Sequence, residues 1–149
     1  MGQQQLLLIV LGVIIVGIAV AVGINMFSSS AIDANRDAVT ADLAHLGSKA
    51  QQFYKKPTTM GGGGNDFNGF ALGSLDQSNT NGEYRLATAA PAALAAAAPA
   101  AAAANTAIAA AAQTIYIVGY GTETGRDGTN LVMAYCTVTS TGISTTVLN

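Results

Sequence analysis

The 149-residue chain is half apolar and only 9% charged, with eight acidic and six basic residues and a formal charge of −2. That length holds one modest domain plus an extended element, and the charge content lies far below the rough quarter of an ordinary soluble domain. The scattered basic residues leave no electrostatic footprint for nucleic acid, and the one cysteine, Cys136, excludes an intrachain disulfide framework.

Residues 6–24 read LLLIVLGVIIVGIAVAVGI, with neither charge nor proline. As a helix such a run spans roughly 28 Å, close to the thickness of a bilayer core. A secretory signal would have a shorter apolar region, basic residues before it and a small-residue cleavage site after it. No Lys or Arg precedes this run, which fits a mature chain whose basic leader is gone, or a numbering that begins inside the precursor. Gly12, Gly17 and Gly23 interrupt it without strict GxxxG spacing, and permit close helix approach or local unwinding.

The helical pattern continues past the membrane length. Apolar residues recur at Ile32, Val39, Leu43, Leu46, Ala50 and Phe53, which places them on one helical face. Asp33, Arg36, Asp37, Asp42 and Lys49 fall largely off that stripe. Without a proline before Pro57, one helix can run from about residue 3 to Tyr54, a length of roughly 75–80 Å. Residues 1–27 form its apolar half and 28–56 its amphipathic half, with Ser28–Ser30 as the wet junction. In this reading Ile32, Val39, Leu43, Leu46 and Phe53 pack the second half on a sheet. Lys55-Lys56-Pro57 ends the helix, since basic residues suit a helix C-terminus and proline prevents continuation.

Residues 57–149 form the distal domain. Its connector, 57–66, includes the run MGGGGN, read as a flexible link; a phosphate-binding loop would need Gly-Lys-Ser/Thr and a following helix, which are absent. Phe67, Phe70, Leu72 and Leu75 offer contacts that tack the next segment onto the domain. Thr114–Tyr120, Leu131–Thr139 and Ile143–Leu148 are rich in β-branched and aromatic residues and read as strands. Arg126-Asp127-Gly128 and Ser140-Thr141-Gly142 supply the turns, so an antiparallel meander is expected. In the middle strand Val132, Ala134, Cys136 and Val138 share the face offered to the helix. The fold class is therefore α+β. Residues 87–112 are anomalous, being mostly alanine broken by Pro91 and Pro99, a composition poor for strands and interrupted for a helix. We read part of this run as alanine standing in for unidentified side chains; the alternative is a genuine Ala/Pro low-complexity segment.

Candidate chemistry is sparse. A catalytic histidine needs an orienting partner and a nucleophile. His45, the one histidine, could be paired with Cys136, but Cys136 lies inside an apolar strand and reads as a buried small hydrophobe. Asp76–Glu83 is oxygen-rich but lacks the ligand spacing of an EF-hand and reads as a solvated turn. The Ser/Thr-rich residues 137–146 suit O-linked sugars on an exposed surface, though strand propensity is the simpler account of them and the one we adopt. Only Phe27 among the aromatics lies near the apolar block, so no stacked aromatic conduit is expected. The residues give no reason to expect an enzyme, a cofactor or a metal.

The opening Met1-Gly2-Gln3-Gln4-Gln5, followed by Leu6-Leu7-Leu8-Ile9-Val10, resembles the start of a type IV pilin. Members of that family are cut after a glycine and begin with a hydrophobic residue. They carry glutamate at the fifth mature position, ahead of an unbroken apolar stretch. Aligning Met1 with the first mature residue puts Gln5 in the glutamate slot; alternatively Gly2 precedes the cut and Gln3 is the new N-terminus. Either way the glutamate is missing, and Gln5 can bond a neighbour's amine without neutralising it. The family often kinks this helix at a proline, whereas a bend here must come from glycine. The resemblance covers the first third of the chain. It implies a structural subunit that polymerises with identical copies through Gln5, Leu6, Leu7, Leu8, Ile9, Val10, Leu11, Val13, Ile14, Ile15, Val16 and Ile18. It also implies insertion in the cytoplasmic membrane before assembly, a pilus assembly machinery and a prepilin peptidase as partners, and a cell-surface filament as destination. The absence of a cytoplasmic domain before the apolar run points the same way. The alternatives are a pseudopilin of a secretion system and a single-span anchor for an extracellular β-domain that binds something.

Overall fold

The computed structural model describes residues 2–94, 107–108 and 111–149. Helix α1 (Gly2–Lys55) is followed by four strands, β1 (Gly82–Ala87), β2 (Thr114–Thr124), β3 (Leu131–Thr139) and β4 (Ile143–Val147). The strands pair antiparallel in the order β1-β2-β3-β4, a meander. The chain divides into two compact units, residues 1–31 and Ile32–Asn149. The larger unit, an α+β arrangement of helix on sheet, is described first.

Its core is built on the stripe of α1. Val39, Leu43, Leu46, Ala50 and Tyr54 are buried, and Phe53 packs against them partly covered. They meet Ile115 and Ile117 of β2 and Ala134, Cys136 and Val138 of β3, with Phe67, Phe70 and Leu72 closing one end. Alternation along a strand puts these β3 residues on one face. Three glycines set how closely helix and sheet approach. A Cβ on Gly47 would stand 2.9 Å from Cys136 Sγ and 3.0 Å from Ile143 Cγ2. On Gly119 it would stand 2.8 Å from Val39 Cγ1, and on Gly121 it would overlap Asn35 Oδ1. Ile32, expected in this stripe, is only half-buried and stands outside the core cluster. Near it the helix meets the polar β2–β3 turn, where Arg126 bonds Asp33 at 2.8 Å, so the sheet's apolar face is not there to receive it.

The strands depart from expectation in instructive ways. β3 has the expected bounds, while β2 runs four residues further, to Thr124, across a register shift after Tyr120. β1 falls on residues read in part as a solvated turn and otherwise unassigned. Its alternation of buried Tyr84 and Leu86 around Arg85 is the strand period, hidden by the charged Glu83 and Arg85. Arg85 is itself buried because its guanidinium bonds the Gln77 and Tyr84 carbonyls and pairs with Glu83. The sheet's second face is also covered. Val118, Tyr120 and Met133 are buried there beneath Ala87, Leu94, Leu131, Tyr135 and Leu148.

The glycine run is a helix cap and not a flexible link. Gly63 N–H donates to the Phe53 carbonyl at 2.8 Å, Asn65 N–H to Tyr54 at 2.8 Å and Gly64 N–H to Lys56 at 2.9 Å. These bonds satisfy carbonyls that the end of any helix leaves without partners. Gly61, Gly64 and Asn65 hold positive φ angles of 75°, 61° and 70°, and a Cβ on Gly63 would collide with the Asp66 carbonyl. Of the four apolar residues expected to tack down the next segment, Phe67, Phe70 and Leu72 are buried, but Leu75 is 91% exposed. It sits on a short turn held by the adjacent Asp76, whose carboxylate pairs with Lys49 at 2.6 Å. Most of the alanine-rich run lies outside the described residues, and with it the stand-in reading. Its described portion docks through Ile108, which exchanges backbone bonds with Gly69 and Phe70.

A fragment beginning at Ser28 should be soluble and monomeric, because its apolar stripe is covered internally. In it Leu43→Ala should cost about 2–5 kcal/mol of stability through cavity formation. Gly47→Val should cost about 1–3 kcal/mol by overpacking against Cys136 and Ile143. Both are read from urea midpoints, and a fragment that forms filaments unaided would contradict this division of roles.

Candidate assembly surface

Within residues 6–24 the helix has no separate polar face, because no position there is polar or charged. Sixteen large apolar side chains between Leu6 and Phe27 are 51–80% exposed. The run is long and apolar enough to cross a membrane, as an anchor or a signal sequence would be. A helix apolar on every side reaches a low free energy only when covered on every side, by lipid or by protein. All the expected polymerisation residues from Gln5 to Ile18 are exposed in this unit. Val20, Val22, Ile24, Met26 and Phe27 continue the same exposed surface through the rest of the apolar half, residues 1–27.

The glycines of this unit face open space among the described residues. A Cβ on Gly12, Gly17 or Gly23 would meet nothing within 4 Å. Over Gly23 lies a mainly apolar hollow of about 300 Å³, lined by Gly23, Met26, Phe27 and Ser30. Gln3, Gln4 and Gln5 are exposed in the first turns of α1.

A different kind of site lies in the larger unit. Asp42 Oδ2 accepts hydrogen bonds from Asn79 Nδ2 at 2.8 Å, Asn81 Nδ2 at 2.8 Å and Tyr84 OH at 2.7 Å. Asn35 Nδ2 adds a bond to the Asn81 carbonyl at 2.9 Å. One carboxylate thus clamps the turn before β1 onto the helix, and Asn79 and Asn81 of the oxygen-rich stretch belong to that clamp. Sequence offered no signal for it, since the partners lie 37–42 positions from Asp42. Burial alone raises the Asp42 carboxyl, but the bonds from Asn81, Tyr84 and Asn79, with nearby His45, bring it below its ordinary 3.8. Burial first, then the Asp42 bond, push the Tyr84 hydroxyl upward.

His45 is exposed beside this clamp and lines a cleft of about 60 Å³ with Asp42, Asp76, Asn79 and Tyr84. Cys136 is fully buried against Gly47, and burial pushes its thiol up, partly offset by a bond with Thr145. A buried thiol of raised pKa is a poor nucleophile. The structure brings no hydrogen bond between His45 and Cys136 among the described residues. In the Ser/Thr-rich stretch, Ser144, Thr145 and Thr146 are exposed on the edge strand β4. Comparison with protein-family models, curated proteins and solved structures finds no match for this chain.

The Asp42 clamp predicts an acid limb in stability. Its carboxyl is depressed in the folded state, so the stabilisation is present above the unfolded value and is lost as pH falls through the folded one, below 3.8. Asp66, held down by the Ala112 and Asn68 amides, and Asp127, held down by the Asn130 side chain, contribute to the same limb. Asp42→Asn in the 28–149 fragment should shrink the loss of thermal stability between pH 5 and 2.5 without abolishing it. An unchanged pH profile would show that the clamp does not depend on charge.

Proposed function

We propose that this chain is the structural subunit of a type IV pilus-like filament, polymerising through residues 5–27 of α1, with the sheet-bearing unit displayed outside. The observation that carries the reading is the apolar surface of residues 6–27, which nothing among the described residues covers. At the observed exposures it amounts to on the order of 1,500 Å², about twice what one partner contributes to a standard interface. More than one neighbour is therefore needed, and a helical array of identical copies supplies several at once. The resemblance of the first third to type IV pilins supports the same reading, as does a larger unit that buries its own stripe. The role is structural and not enzymatic. Before assembly the same surface is covered by a membrane, and the finished filament lies at the cell surface. Assembly machinery and a prepilin peptidase are the partners this implies. A pseudopilus is the short form of the same architecture.

The competing reading is a single-span anchor for an extracellular binding domain, supported by the span-length apolar run. Negative-stain microscopy of material sheared from cells separates the two, by filaments made of this chain or none. Val16→Asp should abolish those filaments, because a packed apolar bundle would bury an unpaired carboxylate at a cost of several kcal/mol. Normal yield from that variant would remove residues 6–24 from the polymer core.

The glutamines give a finer test. A neighbour's terminal amine in an apolar bundle needs acceptors, and Gln3, Gln4 and Gln5 provide three side-chain carbonyls within about one turn. Single Gln→Ala changes should weaken assembly in part, the triple change should stop it, and Gln5→Glu should be tolerated. Full sheared yield from the triple variant would show that the glutamines do not solvate that amine.

A further inference from the structure

The hollow over Gly23 has an arrangement that the polymer reading does not by itself require. Its four lining residues are Gly23, Met26, Phe27 and Ser30, at positions i, i+3, i+4 and i+7 of one helix. Those are the positions that surround a hole when a side chain of a facing helix inserts as a knob. Gly23 forms the floor, and Met26 and Phe27, 69% and 80% exposed, stand as walls. A glycine within a helix costs about 1 kcal/mol relative to alanine. No packing contact among the described residues accounts for that cost here, because a Cβ at position 23 would meet only open space.

We infer that this hollow seats an apolar side chain from a second copy of the chain, the knob coming from the neighbour's own apolar run of residues 6–24. The inference rests on the filament reading and specifies one contact within it. Two observations favour a second copy over lipid. The uncovered apolar area exceeds what one standard interface takes, which leaves room for protein neighbours on more than one side. From Leu6 the helix reaches bilayer thickness at about residue 25, so Met26, Phe27 and Ser30 lie at or beyond the hydrocarbon limit. Residues 2–32 carry no charge, so the walls, floor and knob are all neutral and their contact strands no ion.

The test uses the full chain expressed in cells that make the filament, comparing Gly23→Ala, Gly23→Leu and Phe27→Ala with the parent. Gly23→Leu fills the hollow while favouring the helix, so the expected result is at least a tenfold loss of sheared filament. Membrane insertion and protease resistance of residues 32–149 should stay at the parental level. Gly23→Ala leaves most of the hollow and should assemble, and Phe27→Ala removes a wall and should lower the temperature at which filaments dissociate. Parental filament yield and melting in both Gly23→Leu and Phe27→Ala would overturn the inference and leave the filament reading standing. Altered detergent extraction with unchanged assembly would assign the hollow to a lipid tail, which also overturns it. If the parent chain itself makes no filament, the filament reading fails and the knob contact fails with it.

Discussion

The larger unit depends on how closely α1 can lie on the sheet. Gly47 on the helix, with Gly119 and Gly121 on β2, removes the side chains that would hold the two layers apart. At that separation Val39 and Leu43 reach the sheet, and they and Cys136 are fully buried. Interiors packed at crystal-like density respond to single methyl groups, so these three positions fix the depth of the whole core. The Asp42 clamp, the Asp33–Arg126 pair and the Asn35 bonds then hold the rim of a layer whose spacing is already set.

The helix end obeys a related constraint. Lys55-Lys56-Pro57 stops α1, which leaves carbonyls that must find donors near a buried Tyr54. The following residues turn back and supply amides, a geometry that takes positive φ at Gly61, Gly64 and Asn65 and leaves no room for a Cβ at Gly62 or Gly63. Glycine richness here marks tight folding, although the same composition in sequence also describes a loose linker.

Much of this was legible because burial imposes a period. The stripe from Val39 to Phe53 and the alternation of β3 follow from one buried face each, and both appear in the structure at the expected residues. What escaped was decided by contacts distant in sequence. β1 carries a buried arginine, which the pattern reads as solvent, and its stability comes from β2 and from carbonyls several residues away. Leu75 looks like its apolar neighbours, yet Lys49 holds the next residue and leaves it outside. Of the assembly surface, the apolar residues could be read directly, whereas the hollow over Gly23 needed helix geometry, and the Asp42 clamp had no local signature at all.

The two units also differ in what calorimetry can report of them. Unfolding heat capacity scales with the apolar surface newly exposed to water. The core around Leu43 contributes such a change, whereas residues 6–27 bury almost nothing within the chain and contribute none when their helix melts in isolation. Their contribution arises only when neighbours or lipid cover them, so it scales with protein concentration and surroundings. A scan of the isolated chain therefore measures the thermodynamics of the unit Ile32–Asn149 alone. The durability of whatever this chain builds is a separate quantity, to be measured on the assembled state.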